Sequence, residues 1–524
     1  VIVTLLLACR PDPTGRDPDP SHSGGPETHS APSPPLPTAD TGPRGPWDEP
    51  SPPECELTWV EALDPGPQVD LSRAYLYRVE GRAGEFLGAE AVAALPDADG
   101  DGAADLAVSA ALWLSNDRPA EVRVFDGVGR GRLTVADART ALWLPRPERV
   151  AALRWTPLGG GQGSLVISGG GDGPAVVATL PLPVGLHRTD ALPGTTVAET
   201  GSGGFTTMAD HGDVDGDGVS DLVLTSRDPF THDYRHGQGG VSVYRAPLPP
   251  ALDSADAWAT YEIGDIDRPS ALTAGSECGS GSYDPVAVDL DGDGAAEILL
   301  SGDWMKDFPA PIDPNSFRVQ GGAALFRGGT SGHHGLDGAQ VVVYGTCASN
   351  LGGHQAAVGD VTGDGRPDVA LGGLGTEDAG VDKGAVFVFS DLVSSVGYRS
   401  AATAELIVLG AEIGDTLTTV GHVGDLNGDG FDELLVGAPH AHGGDGRAYL
   451  FLGPRTGVVN ARDADLILVG GSGDQWLGWE LGSAGDVDGD GVLDVYVVSH
   501  GASWGEVNGG AVYVVSGAAL LAAR

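Results

Sequence analysis

One acidic motif recurs six times along the chain, and few folds can accommodate it. It reads Asp-Ala-Asp-Gly-Asp-Gly-Ala-Ala-Asp at 97–105, Asp-Val-Asp-Gly-Asp-Gly-Val-Ser-Asp at 213–221 and Asp-Leu-Asp-Gly-Asp-Gly-Ala-Ala-Glu at 289–297. It returns as Asp-Val-Thr-Gly-Asp-Gly-Arg-Pro-Asp at 360–368, Asp-Leu-Asn-Gly-Asp-Gly-Phe-Asp-Glu at 425–433 and Asp-Val-Asp-Gly-Asp-Gly-Val-Leu-Asp at 486–494. The start-to-start steps are 116, 76, 71, 65 and 61 residues, so the first is about twice the others. A repeat without acids fills that gap: Val150–Leu158, the turn Gly159-Gly160-Gly161-Gln162-Gly163, then Ser164–Ser168. Seven repeats follow, and internal repetition at this period points to a circular or stacked array.

Each repeat carries the same order of short apolar segments. A first strand leads into the acidic loop and a second leaves it, as in Asp105–Ser109 and Asp494–Ser499. A third follows a glycine, as in Gly446-Arg-Ala-Tyr-Leu-Phe451, and a fourth reads Ala404-Glu-Leu-Ile-Val-Leu409 or Ala464-Asp-Leu-Ile-Leu-Val469. Runs that are β-branched or aromatic and bounded by glycine read as strands. The pattern predicts an all-β, seven-bladed propeller of four-stranded antiparallel blades. The last repeat ends after its third strand near Ser516, and Ala74–Gly81 matches the missing fourth one. That N-terminal strand is expected to close the ring. The expected division is a signal remnant at 1–9, a disordered linker at 10–56 and the propeller at 57–524. The expected blades span about 82–148, 149–195, 196–265, 266–346, 347–410, 411–470 and 471–524, the last completed by 74–81.

Acids at every second residue repel one another unless a cation sits among them. Calcium takes about 6–8 oxygen ligands, and carboxylates at loop positions 1, 3, 5 and 9 with a carbonyl at 7 can supply them. Glycine at 4 and 6 permits the sharp turn. The expected ligands are Asp97, Asp99, Asp101, Asp105 and the Ala103 carbonyl in the first loop. In the second they are Asp213, Asp215, Asp217, Asp221 and Val219; in the third, Asp289, Asp291, Asp293, Glu297 and Ala295. The fourth offers Asp360, Thr362, Asp364, Asp368 and Arg366, with a weaker site expected from the threonine. The fifth offers Asp425, Asn427, Asp429, Glu433 and Phe431, and the sixth Asp486, Asp488, Asp490, Asp494 and Val492. Up to six Ca2+ ions are therefore expected. An EF-hand needs glutamate at position 12 between helices. Here position 12 is Val108, Leu224, Leu300, Leu371, Val436 or Val497, which excludes it. An all-protein cage of this size suits calcium better than magnesium.

The combination of Glu85-Phe86-Leu87-Gly88, the loop Asp425–Glu433, Gly437-Ala438-Pro439 and Gly446–Phe451 resembles the FG-GAP repeats of integrin α-subunit propellers, over roughly residues 74–517. The chain departs from that pattern in most repeats, where Gly-Ala-Pro is replaced by Ser-Ala-Ala, Gly-Gly-Leu or Ser-His-Gly. It also lacks the stalk domains and membrane span of an integrin α-chain, so integrin-type signalling is not expected.

Acidic residues number 73 against 29 basic ones, a formal charge of −44, which excludes charge-driven binding to nucleic acid or to an anionic membrane. No run of 18 apolar residues occurs. The opening Val-Ile-Val-Thr-Leu-Leu-Leu-Ala-Cys resembles a bacterial lipoprotein signal with Cys9 as the lipidated residue. Residues 10–54 hold 14 prolines and cannot bury enough apolar area to fold, which suits a tether. Export to an oxidising compartment, the cell envelope or beyond, is expected, and Cys278 and Cys347 occupy near-equivalent repeat positions that fit a disulfide.

Function is expected at the face opposite the acidic loops. Its second-to-third-strand loops, 228–238 and 303–320, carry Phe230, Tyr234, Trp304, Phe308 and Phe317, and variable loops on a rigid scaffold commonly carry recognition. The reading is a cell-surface adhesion module for a protein or glycan. The alternative is a polysaccharide- or lipid-active enzyme near the central channel. No His-Glu-x-x-His, Gly-x-Ser-x-Gly or phosphate-binding glycine loop is present, so no catalytic residue is assigned.

Overall fold

The computed structural model describes residues 66–524 apart from 89–90, 98, 111–119, 128–129, 145–149, 159–162, 170–173, 199–204, 209–210, 228–238, 263–282, 303–320, 346–350, 374–375, 378–380 and 504–507. Seven five-stranded sheets form the molecule, with one two-stranded ribbon beside them. In the first blade the strands run Val92–Leu95, Asp105–Ala110, Glu121–Phe125 and Thr140–Trp143, from the axis outward and antiparallel. The repeat lacking acids pairs Val150–Thr156 with Ser164–Gly169 across its glycine turn. The innermost strand of each blade packs on that of the next all the way round, the seventh against the first. The ring is closed.

Both faces of a blade meet a neighbour, which explains the apolar runs. All six residues of Asp105–Ala110 and of Asp494–Ser499 are buried. Seven separate hydrophobic clusters fill the seven interfaces between blades, for example Val122, Leu142, Leu165 and Ile167 between the first and second. Near the axis the strands crowd and small residues are required. A Cβ on Gly421 would lie 2.5 Å from both the carbonyl oxygen and Cδ1 of Leu481 on the next blade.

The expected four-stranded blades are present, and each carries a fifth strand lent by the next blade. The segment between a blade's third and fourth strands reaches back and pairs in parallel with the fourth strand of the blade before it. Gly185–Arg188 of the second blade lies beside Thr140–Trp143 of the first, and Gly457–Asn460 of the sixth lies beside Leu406–Leu409 of the fifth. A short 3₁₀ turn follows, held in three blades by a reciprocal cap. Asp253 accepts from the Ala255 N–H at 2.8 Å, and Asp256 accepts from the Asp253 N–H at 2.9 Å. The pairs Thr134/Asp137 and Asn460/Asp463 repeat it.

The N-terminal segment supplies both missing pieces at the seam. Tyr77–Glu80 pairs antiparallel with Ala511–Val515 as the seventh blade's fourth strand, narrower than the expected 74–81. Gln68–Asp70 pairs in parallel with Leu466–Val469 as the sixth blade's fifth strand. Buried polar contacts bolt the seam. Arg78 and Glu80 form a buried ion pair, and Arg132 donates to Glu80 at 2.6 Å. The Tyr513 hydroxyl donates to Asp474 at 2.8 Å.

Candidate metal centres

The six acidic loops join first to second strands, so all lie on one face, and their internal geometry is nearly invariant. The position-6 glycine N–H donates to the position-1 aspartate in every loop: Gly102 to Asp97 at 3.2 Å, Gly218 to Asp213 at 2.6 Å, Gly294 to Asp289 at 3.0 Å, Gly365 to Asp360 at 2.9 Å, Gly430 to Asp425 at 2.9 Å and Gly491 to Asp486 at 3.0 Å. The position-7 N–H donates to the position-5 aspartate, from Ala103 at 2.9 Å, Val219 at 3.0 Å, Ala295 at 2.8 Å, Arg366 at 2.9 Å, Phe431 at 3.0 Å and Val492 at 2.9 Å. Gly102 sits at φ +92° and Gly100 at φ +88°, with open space around both, so conformation and not room demands glycine there.

The position-9 carboxylate is the buried member. Asp105, Asp368, Glu433 and Asp494 are fully buried, and Asp221 and Glu297 nearly so. In the second to sixth loops one oxygen accepts from the backbone at position 2 or 3, as with Val487 N–H to Asp494 at 2.9 Å. In three blades the other accepts from the residue two beyond the end of the third strand: Gly127 to Asp105, Ala246 to Asp221 and Gly517 to Asp494. In five loops, carboxylate oxygens lie within 4.8 Å of one another: Asp97, Asp99 and Asp101; Asp213, Asp215 and Asp221; Asp289, Asp291 and Glu297; Asp360, Asp364 and Asp368; Asp425, Asp429 and Glu433. Hard oxygen donors gathered this closely around one point fit a divalent cation of calcium's kind.

Burial raises the position-9 carboxylates, to about 6 for Asp221 and Asp494 and to about 7 for Glu297, Asp368 and Glu433. Unfolded, such groups titrate at about 4. A raised carboxylate favours the folded state when protonated, so stability is lost as pH climbs from about 4 through 6–7. A bound cation needs the ionised form, and its contribution grows over the same range. Melting temperature in chelator is therefore expected to fall from pH 5 to pH 8, while the gap between calcium-loaded and chelated protein widens. Thermal melts in both conditions across that range check the sign.

Four arginines reach the loops, and no repeat register announces them. Arg245 pairs with Asp215 and lies 3.5 Å from Asp217, and Arg327 is 3.2 Å from Asp291. Arg139 lies 3.9 Å from Asp99 and 2.9 Å from Asp126, and Arg130 lies 3.9 Å from Asp488 of the seventh blade's loop. Only the pair Tyr244-Arg245 and Phe326-Arg327, each at the end of a third strand, left a signal in the sequence. Neighbouring loops are also linked directly: the position-8 N–H donates to the previous blade's position-1 carbonyl, as Ala296 to Asp213 at 2.7 Å and Ala104 to Asp486 at 3.1 Å.

A cavity of about 290 Å3 lies on the axis between the innermost strands, with Arg154, His211, His354, His422, Glu480 and Tyr496 among its lining. Phe230, Tyr234, Trp304, Phe308, Phe317, Cys9, Cys278 and Cys347 lie outside the described residues.

A family model, the FG-GAP repeat, matches residues 418–451, which span the sixth blade's first three strands and its acidic loop. The sixth blade thus carries an FG-GAP repeat, and the chain is similar to integrin α propellers. The propeller is 31% identical over 179 residues to integrin alpha-IIb of Mus musculus, covering 32% of this chain and 16% of the relative. It is 31% identical over 155 residues to integrin alpha-PS5 of Drosophila melanogaster, covering 29% and 15%. The matched stretch thus spans about one sixth of either integrin's length. The propeller is also 25% identical over 219 residues to a phosphatidylinositol-glycan-specific phospholipase D of Dictyostelium discoideum, covering 38% and 23%. Alignment with the structure of the Dos1 propeller covers 85% of this chain and 95% of that one, at 9% identity and a TM-score of 0.42.

Proposed function

We propose that the propeller is a calcium-stabilised interaction module of the cell surface. The observation that carries this is the repeated oxygen cage: six loops of one geometry on one face, each built around a buried carboxylate. In each loop the position 1, 3, 5 and 9 side chains and the position-7 carbonyl would hold one Ca2+. The ion would supply charge neutralisation and stiffness, with no reaction routed through it. Stiffening one face leaves the other to present loops 228–238 and 303–320, with Phe230, Tyr234, Trp304, Phe308 and Phe317, to a surface protein or glycan. Export with a lipid on Cys9, the tether at 10–56 and a Cys278–Cys347 disulfide belong to the same reading. Among the described residues no helix is long and apolar enough to cross a membrane.

Glycan and protein arrays probed with residues 57–524 in calcium test the reading. Binding is expected to be lost when both loops are replaced by short Gly-Ser turns, with the calcium-loaded melt unchanged. Binding that survives both replacements overturns it. The similarity to a phospholipase D supports a second reading, a lipid- or polysaccharide-active enzyme working at the axial cavity. Release of product from a phosphatidylinositol-glycan substrate, abolished by His354→Ala, would favour that one.

A further inference from the structure

We propose that the arginines at the acidic loops are built-in stand-ins for the cation, which offset the extra charge of the position-3 aspartate in four loops and hold those loops in shape when no ion is bound. This rests on the calcium reading above. The evidence is a correlation within the chain. Position 3 is aspartate in four loops, and all four of those aspartates face an arginine: Asp99 with Arg139, Asp215 with Arg245, Asp291 with Arg327 and Asp488 with Arg130. In the other two loops position 3 is Thr362 or Asn427, and among the described residues no arginine pairs with a carboxylate that would hold the ion there.

The contacts are alike in detail. In each of the four loops Oδ1 of the position-3 aspartate accepts the backbone N–H of position 5, at 3.0 Å for Asp99, 3.1 Å for Asp215, 3.1 Å for Asp291 and 3.2 Å for Asp488. Oδ2 is the oxygen that faces the arginine every time. Yet the arginines come from different places. Arg245 and Arg327 end the third strand of their own blade, Arg139 precedes the fourth strand of its own, and Arg130 is contributed by the first blade to the seventh blade's loop. Three separate origins converging on one atom argue for a requirement of the loop over inheritance of a single repeat position.

The two exceptions fit the same rule. Asn427 donates its amide to Asp429 at 3.0 Å and to Glu433 at 3.1 Å, and Thr362 donates its hydroxyl to Asp368 at 3.1 Å. The extra acid of that fifth loop, Asp432, is turned aside to His422 at 3.3 Å and to the Asp360 N–H at 2.9 Å. In the second, third and sixth loops four carboxylates with one guanidinium leave three uncompensated charges, as the three ligand carboxylates of the fifth loop do alone; in the first loop Arg139 is shared with Asp126, and in the fourth Arg366 adds a positive charge. A dication therefore meets similar attraction in the second, third, fifth and sixth loops.

The test is calcium titration of chelator-treated protein by calorimetry, for the wild type, Arg245→Gln, Arg327→Gln and the double variant. Arg188→Gln, which breaks an exposed pair with Asp190 on the outer rim, is the control. A unit charge about 6 Å from a dication in a water-like surrounding is worth about tenfold in affinity. One site is expected to tighten about tenfold in each single variant and two in the double. The melting temperature should fall in chelator and be equal to or above wild type in saturating calcium, because the repulsion has gone while the ion remains. An arginine with only a packing role would lower both melts alike and leave affinity unchanged, which overturns the proposal. Wild-type protein that binds no calcium overturns both this and the functional reading. Wild-type binding with unchanged variants overturns this one alone.

Discussion

Freed of divalent ions by excess chelator, and shown by elemental analysis to be metal-free, the protein is expected to melt about 15 °C or more below its calcium-loaded form. The size follows from the number of sites. A ligand that binds only the folded state at 100 times its dissociation constant stabilises by about 2.7 kcal/mol. Several loops acting together reach or exceed the roughly 5–15 kcal/mol that separates folded from unfolded in an ordinary domain. For a chain of this length each kcal/mol moves the midpoint by only about 1 °C, which brings the sum to this range. Without ions, the buried Glu297, Asp368 and Glu433 must either take up protons or ionise against their surroundings. Calcium should restore the midpoint. Magnesium should restore much less, because it demands tight octahedral geometry and keeps its waters. An unchanged melt in verified metal-free protein would falsify the cage.

Deleting residues 66–81 is expected to abolish cooperative folding, even with calcium present. That stretch buries Val69, Leu71, Tyr77 and Val79, of which the last three are wholly enclosed. At about 2 kcal/mol for each such side chain the loss is roughly 8 kcal/mol, before the two strand pairings are counted. The cut also removes the buried Arg78–Glu80 ion pair and, with Glu80, the acceptor of Arg132. Supplying 66–81 as a separate peptide should recover part of the folded signal, because the strands it offers are those the gap needs. Circular dichroism melts of the deletion with and without peptide decide this. A truncated protein that still unfolds in one sharp transition near the intact midpoint would show that the seam is dispensable.

Much of this architecture was legible because the blades repeat their chemistry as well as their length. The acidic loops announce themselves through glycine at positions 4 and 6, where a positive φ is needed. The closing strand was legible because one fourth strand was missing and Tyr77–Glu80 had its pattern. The fifth strands were not legible. Segments such as Gly332–His334 and Ala251–Asp253 are three residues long, partly or largely exposed, and carry no alternation. Their mark is the cap that follows, Asp253 with Asp256 or Asn460 with Asp463, a pattern that resembles an ordinary turn. The arginines were hidden for another reason. Arg130 acts on an acid more than 350 residues further along the chain, and no local window connects the two.

The loan of strands between neighbours has a consequence for biogenesis. Gln68–Asp70 and Tyr77–Glu80 are synthesised before any blade, yet their partners, Leu466–Val469 and Ala511–Val515, belong to the sixth and seventh blades. These two early segments must remain single until the other end of the molecule arrives, with the apolar side chains of Tyr77 and Val79 uncovered for the whole interval. Closure of the ring is therefore deferred until the seventh blade has been made. Any pause in elongation prolongs the period in which the chain is open to proteases and mispairing.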